Sequence, residues 1–154
     1  MKFAYSSNAY RQWPIDETLD RIAMIGFAGF ELMADEPHAW PGTMTDRAVD
    51  SLRNKIEHSG LEISNVNAFM MNAVQDFWHP SWIEPDADFR RERIEHTKAS
   101  LRMASRLGAR TISTEPGGPL PNAISRESAL NLFTDGLQEV LKVAEEVGVM
   151  LLVE

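Results

Sequence analysis

The chain of 154 residues contains no cysteine, and this absence excludes several classes of protein. Without thiols there is no disulfide framework and no cysteine-ligated zinc site. Residues 1–7 are too few and too polar to form the hydrophobic region of a secretion signal. We therefore expect a cytoplasmic protein.

Long apolar runs and clusters of basic residues are also missing. No stretch approaches the roughly 20 apolar residues that a membrane-spanning helix needs. The formal net charge is −8, with 23 acidic and 15 basic residues, and the Lys and Arg residues do not form a stripe. These features argue against a membrane or a nucleic acid as partner, and they favour small or cationic ligands.

What the sequence does contain is an alternation of amphipathic stretches with short apolar runs. Four of the amphipathic stretches end at glycines: Gly26, Gly60, Gly108 and Gly148. The spacing of these glycines is long enough for one strand and one helix each, and it is too irregular for a solenoid repeat. The pattern predicts four strand–helix units followed by a fifth strand.

Short β-branched or aromatic runs predict five strands, at 2–6, 30–34, 61–67, 110–114 and 149–153. Helical spacing of apolar residues predicts four helices, which run from Ile15 to Ile25, from a cap at Thr45 to Gly60, from Asp88 to Gly108 and from a cap at Ser125 to Gly148. In the last helix one buried stripe is expected, made of Leu130, Phe133, Leu137, Leu141 and Ala144.

Strands that alternate with helices indicate a parallel sheet, either open and doubly wound or closed into a barrel. No strand is followed by the GxGxxG or P-loop spacing of nucleotide-binding open sheets, so the sequence favours the barrel. A (β/α)8 TIM barrel has eight strands and about 250 residues. We therefore expect residues 1–154, with five strands and four helices, to be the N-terminal portion of one α/β TIM barrel domain.

Several segments together resemble a known family: 26–32, 63–67, 107–109 and 151–154. Their order and spacing along the whole chain are similar to the sugar phosphate isomerase/epimerase family, the xylose isomerase-like TIM barrels. The resemblance implies a divalent-metal enzyme that interconverts keto sugars, sugar phosphates or related hydroxy-ketones by proton transfer through an enediolate. Manganese is the metal that it implies first, with Mg, Co or Zn as alternatives, and a small carbohydrate is the implied substrate.

Glu154 follows an almost wholly apolar run that predicts a strand buried on both faces. At the C-terminal end of a barrel strand, a carboxylate lies where TIM barrels carry out chemistry. In the resembled family a glutamate ending strand five holds the metal, together with Asp, His and a second Glu from later strands. The resemblance therefore implies that Glu154 is a metal ligand and one of two glutamates that move the substrate proton. The alternative is a solvent-exposed glutamate without a function.

Other strand ends provide candidate substrate-binding residues. Tyr5, Ser6 and Asn8 lie at or after the end of the first strand, Asn67 ends the third, and Glu115 follows the fourth. Their hydroxyl, amide and carboxylate groups suit sugar hydroxyls. Turn formation or hydrogen bonding between strands explains the same residue types equally simply.

The loop after the second strand contains His38 and Trp40, which could bind or cap a sugar ring because an indole stacks on its apolar face. Packing of the loop on itself is the alternative. Glu31, within the second strand, is expected to form a structural ion pair at the floor of the barrel. The aromatic segment 77–82 is expected to lie outside the core, as a lid over the barrel mouth or as a packed loop.

Two other functions remain open. The chain could be a non-catalytic fragment whose barrel is finished by a partner polypeptide. Phosphodiester hydrolysis, as in AP endonuclease relatives, requires histidines where this sequence has Asn67 and Glu115. We expect a homo-oligomer, because the resembled family often pairs its barrels, and we expect the isolated 154-residue chain to be inactive. An exposed edge on strand five should also make it poorly folded or self-associating.

Overall fold

The computed structural model describes residues 1–154 as one parallel sheet covered by helices. The five strands are β1 (Ala4–Ser6), β2 (Gly29–Met33), β3 (Glu62–Asn67), β4 (Thr111–Thr114) and β5 (Met150–Val153). Each strand pairs in parallel with the next one along the chain, so the spatial order is β1-β2-β3-β4-β5. A strand order without reversal is that of a barrel wall, since doubly wound sheets reverse direction at a switch point.

Four helices connect the strands: α1 (Ile15–Ile25), α2 (Asp46–Ser59), α3 (Ala87–Leu107) and α4 (Arg126–Val147). The two predicted caps are confirmed, because Thr45 Oγ1 accepts the N–H of Ala48 at 3.2 Å and Ser125 Oγ accepts that of Ser128 at 3.0 Å. Each helix ends at one of the four predicted glycines in the left-handed region, with φ between 69° and 97°. Glycine adopts this conformation without the steric penalty of a Cβ atom. None of the four helices is long and apolar enough to cross a membrane.

The core lies between the sheet and the helices. Strand residues that are fully buried there include Phe30, Leu32, Val66 and Ile112. The apolar residues at helical spacing in the first three helices are also buried, at Leu19, Ile22, Val49, Leu52, Ile56, Ile94, Leu101, Ala104 and Leu107, and Ala23 beside Leu19 and Ile22 is half-buried. Spacing of apolar residues was sufficient there because each of these helices has a single apolar face.

The stripe predicted for α4 is wrong in part, because Leu130 and Leu141 are 61% and 43% exposed. The buried face instead contains mostly small residues: Ala129, Gly136, Val140, Val143 and Ala144. The indole of Trp82 explains this choice, since a Cβ atom at Gly136 would lie 3.0 Å from its Cε3 atom. A large ring on the facing loop therefore requires a small residue on the helix.

The prediction that the fifth strand is buried on both faces is also wrong. β5 pairs with β4 only, and its residues Met150, Leu152 and Val153 are exposed. At the other end of the sheet Phe3 and Tyr5 are exposed as well. The sheet therefore has two open edges with apolar side chains, and burial on both faces would need further protein beside β5.

Candidate functional site

A cavity of about 500 Å³ opens at the carboxyl ends of the strands. Its polar lining is provided by Asn8, Asp35, Asn67 and Glu115, which end or follow β1, β2, β3 and β4. An apolar wall faces them, made of Met33, Phe69, Met71, Phe77 and Trp78. Ligands of parallel α/β folds bind at this end of the sheet, because the loops that follow the strands converge there. We therefore take this cavity as the candidate site.

Glu31, in β2, connects three neighbouring strands, because its carboxylate accepts hydrogen bonds from uncharged side chains of β1 and β3. Ser6 Oγ donates to its Oε1 at 2.8 Å, and Asn65 Nδ2 donates to its Oε2 at 3.0 Å. Both donors are its direct partners in the parallel register. The predicted ion pair of Glu31 is therefore wrong, because strand pairing places neutral polar side chains, rather than a cation, on either side of the carboxylate.

Of Tyr5, Ser6 and Asn8, the three candidates predicted at or after the first strand, Tyr5 and Ser6 do not line the cavity. The Tyr5 ring packs against Tyr10 and Phe27, with centroids 6.0 and 5.1 Å apart. Ser6 Oγ donates to Glu31 Oε1, and it accepts the N–H of Asn8 at 3.3 Å. Asn8, two residues further on, reaches the cavity instead.

Asn67 and Glu115 both line the cavity, as their positions at strand ends predicted for binding residues. Asn67 Oδ1 accepts the N–H of Phe69 at 2.8 Å, which turns the chain away from β3. Burial raises the pKa of the Glu115 carboxyl, Arg93 opposes this rise, and the negative charges of Glu154 and Glu31 reinforce it. A carboxyl group with a raised pKa in a cleft is typical of a functional site.

Arg93 is a site residue that the sequence did not reveal. It belongs to α3, is 1% exposed, and donates from Nη2 to Thr114 Oγ1 at 3.2 Å and to the Glu115 carbonyl oxygen at 3.3 Å. Burial lowers the pKa of this guanidinium to about 10, so it stays charged at neutral pH. A signal was available, since Arg93 lies about three helical turns before the buried Ala104 and so on the inward face.

His38 and Trp40 lie away from the cavity. Both ring nitrogens of His38 have partners in the chain, Ser7 Oγ at 3.1 Å and the Trp13 carbonyl oxygen at 3.1 Å. Burial lowers the pKa of this buried ring. Trp40 stacks on His96, with centroids 4.7 Å apart. These contacts pack the loop against the segment after β1 and against α3, and they do not bring His38 and Trp40 together with Glu115.

The aromatic segment 77–82 divides into two parts. Phe77 and Trp78 are exposed, contact each other edge to face at 4.6 Å, and line the cavity mouth. The expectation that Trp82 lies outside the core is wrong, because its side chain is fully buried. Its Nε1 donates to Thr114 Oγ1 at 3.0 Å, and a satisfied indole N–H permits burial of the whole ring.

Glu154 follows β5, and its N–H donates to the Thr114 carbonyl oxygen at 3.1 Å. It is exposed at the same end of the sheet as Glu115. No three His, Asp or Glu side chains in residues 1–154 come close enough together to hold a metal ion. The donor set of this chain therefore does not form a metal centre by itself.

A family model for the xylose isomerase-like TIM barrel matches residues 19–154. Among solved structures, a D-tagatose 3-epimerase-like protein shares 19% identity and a TM-score of 0.79, over 99% of this chain and 52% of its own. The 3-keto-D-glucoside 4-epimerase from E. coli shares 17% identity and a TM-score of 0.73, over 99% of this chain and 55% of its own.

A xylose isomerase-like TIM barrel protein from Mycobacterium smegmatis, in complex with magnesium, shares 13% identity and a TM-score of 0.71, over 99% of this chain and 54% of its own. The chain thus spans about half the length of the structures it matches. No curated protein matches it. At these identities the structural likeness shows the fold.

Proposed function

This chain belongs to the xylose isomerase-like TIM barrel family, and we propose that its cavity binds the substrate of a sugar isomerase or epimerase. The observation that carries the proposal is the cavity itself, at the carboxyl ends of β1 to β4, with Asn67 and Glu115 in its lining. The sugar epimerases among its structural neighbours support the same class of substrate.

The two kinds of wall in the cavity suit a sugar. Amide and carboxylate groups of Asn8, Asn67 and Glu115 can bind hydroxyl groups. The rings of Phe69 and Trp78 offer an apolar surface to the C–H face of a sugar. Such a combination, mostly apolar with few polar groups, is common in small-molecule sites.

The charge of the lining favours the unphosphorylated part of a substrate. The lining contains the carboxylates Asp35 and Glu115 and no Lys, Arg or His. The nearby cation, Arg93, is buried and bound to Thr114 and Glu115. A phosphate placed here would face two carboxylates without a free cation, so we propose that the cavity takes an uncharged sugar or the uncharged end of a sugar phosphate.

Glu154 stays the proposed metal ligand and proton-transferring carboxylate, at the end of β5. A divalent ion, with Mn proposed first and Mg, Co or Zn as alternatives, would find this one candidate ligand in residues 1–154. We therefore assign no step to the metal. The roles that we derive belong to Asn8, Asn67 and Glu115, which would bind and orient the sugar hydroxyls.

The direct test is an NMR titration of the ¹⁵N-labelled chain with D-tagatose and with D-tagatose 6-phosphate. We expect D-tagatose to shift the amide signals of Asn67, Phe69 and Glu115, and the phosphorylated sugar to bind more weakly. In Glu115→Gln, affinity for D-tagatose should fall roughly tenfold, the value of one charge-assisted hydrogen bond. Glu146→Gln, at an exposed position of α4, is the matched control. If neither sugar shifts the amide signals of Asn67, Phe69 and Glu115, the proposal is contradicted.

A second candidate is a non-catalytic piece that completes a barrel with another polypeptide. The observation that favours it is the open β5 edge with its exposed apolar side chains. Glu115→Gln separates the two candidates, because the change should weaken sugar binding and leave the binding of a partner at β5 unaltered. Phosphodiester hydrolysis has less support, because the cavity lining contains two carboxylates and no histidine.

A further inference from the structure

Asp35, the second residue after β2, has a carboxylate that is surrounded by backbone N–H groups. The residue is 2% exposed. Its Oδ1 accepts the N–H groups of Glu36 at 2.8 Å and Ala73 at 3.0 Å. Its Oδ2 accepts those of Met71 at 2.8 Å and Asn72 at 2.7 Å. Four donors on one buried carboxylate offset the cost of removing the charge from water.

Three of these four hydrogen bonds join two loops that are far apart in sequence. Glu36 belongs to the loop after β2, whereas residues 71–73 belong to the loop after β3. A fifth hydrogen bond joins the same loops in the same direction, from Asn72 Nδ2 to the Glu36 carbonyl oxygen at 2.7 Å. In this cross-link every donor belongs to residues 71–73 and every acceptor to residues 35–36.

The segment held by Asp35 carries most of the apolar wall of the cavity. Phe69 and Met71 lie at its start, and Phe77 and Trp78 lie further along the same loop. Within this loop a second carboxylate also accepts a backbone N–H group: Asp76 Oδ1 accepts that of Trp78 at 2.7 Å. The position of this wall relative to Asn67 and Glu115 thus depends on where Asp35 holds residues 71–73.

We infer that Asp35 is a positioning residue of the candidate site, and that its carboxylate fixes the loop 69–78 at the distance from Asn67 and Glu115 that an uncharged sugar requires. The link to sugar rests on the proposed function, whereas the hold on the loop does not. A neutral amide cannot replace the carboxylate, because its NH2 group would face two backbone donors.

The first measurement is amide hydrogen exchange by NMR, on the full chain without ligand. In Asp35→Asn we expect the amides of Met71, Asn72 or Ala73 to exchange roughly tenfold faster or more. The amide of Leu101, in the middle of α3, should be unchanged. Asp135→Asn, the same chemical change at an exposed position of α4, should alter neither rate. Unchanged exchange at residues 71–73 in Asp35→Asn would overturn the inference.

The second measurement is the affinity for D-tagatose in the same samples. If Asp35 positions the wall, Asp35→Asn should bind D-tagatose about tenfold more weakly. Continued protection of the Leu101 amide shows that the fold of this variant is intact. Unaltered affinity together with a loosened loop would overturn the positioning role. If the wild-type chain does not bind D-tagatose, the proposed function fails and the exchange experiment still decides whether Asp35 holds the loop.

If all amides of Asp35→Asn exchange faster because the fold is lost, a milder variant can test the same cross-link. Asn72→Ala keeps the carboxylate and removes the hydrogen bond to the Glu36 carbonyl oxygen together with a long contact to Met33 Sδ at 3.9 Å. We expect faster exchange confined to residues 69–78 and weaker D-tagatose binding. Protection of the loop equal to that of the wild type would then contradict the cross-link.

Discussion

The Arg93 guanidinium nitrogen Nη2 lies 3.7 Å from Glu115 Oε2 and links α3 to the loop after β4. The Arg93 side chain is 1% exposed and that of Glu115 is 31% exposed. Glu115 Oε2 and Arg93 Nε are both buried without a hydrogen-bond partner. The pair is therefore held by charge and by the Nη2 contacts to Thr114 and Glu115, rather than by a bidentate arrangement.

Removal of the cation should destabilise the fold. We expect Arg93→Met to lower the free energy of unfolding by roughly 3 kcal/mol, because Thr114 and Glu115 lose their partner in a buried place. Urea unfolding of both proteins measures the difference. Arg53→Met, which breaks an exposed pair with Glu57 on α2, should cost no more than about 0.5 kcal/mol.

The double variant Arg93→Met/Glu115→Gln tests whether the charge of Glu115 causes part of that loss. Neutralising the carboxyl group removes the uncompensated charge, so the double variant should be more stable than Arg93→Met alone. Strict additivity of the two single changes would show that the pair does not interact.

Gly118 should tolerate no side chain. Its φ is 63°, and a Cβ atom there would lie 3.1 Å from the Trp78 carbonyl oxygen and 3.1 Å from Ser81 Cβ. We expect Gly118→Ala to cost more than the roughly 1 kcal/mol of a left-handed alanine, and to shift the Trp78 amide signal. Gly60→Ala is the matched control, because φ is 70° there and nothing lies within 4 Å. Equal losses in the two variants would contradict the predicted contact.

Stability should depend on pH through His79 and Glu84, whose Nδ1 and Oε1 atoms are 2.5 Å apart. The hydrogen bond to Glu84 raises the pKa of His79 above its ordinary value of 6.5. Protonation is therefore more favourable in the folded state, and the stabilisation is fully present below pH 6.5. It is lost as the pH rises through the raised pKa.

The melting temperature of the wild type should accordingly fall as the pH rises above 6.5, relative to His79→Gln, which has no titrating group at this position. The effect should be small, because the His79 side chain is 37% exposed and the pair is screened by solvent. His58→Gln, at an exposed position of α2, is the control. Parallel pH profiles of the wild type and His79→Gln would contradict this prediction.

The predicted fold depended on local signals, and these were sufficient for most of it. A glycine at the end of each helix needs only its own left-handed conformation, so Gly26 and Gly148 marked helix ends correctly. The first three inward faces followed from apolar spacing. The face of α4 did not, because its choice depends on Trp82, a residue more than 50 positions away in sequence.

The candidate site shows the same division. Asn67 and Glu115 were found because a polar residue at a strand end is visible in the sequence. Arg93 and Asp35 were missed because their contacts are with other elements: the loop after β4 for Arg93, and residues 71–73 for Asp35. Long-range hydrogen bonds of this kind leave no periodicity in the chain.

The open edge of β5 leads to the last prediction, which concerns self-association. Met150, Leu152 and Val153 are exposed next to unpaired backbone groups of an edge strand. Such an edge can pair with another chain, and a lysine on it opposes pairing because the charge would have to be buried. We expect the 154-residue chain to associate as its concentration rises, and Leu152→Lys to shift it toward the monomer in sedimentation velocity experiments.

Met24→Lys provides the control, since Met24 is an apolar residue of α1, away from β5, and is 83% exposed against 39% for Leu152. If β5 carries the association, this variant should sediment like the wild type, whereas Leu152→Lys should not. A wild-type chain that stays monomeric at all concentrations and melts sharply would contradict both the association and the role of the edge. Equal effects of the two lysines would instead assign the association to general surface hydrophobicity.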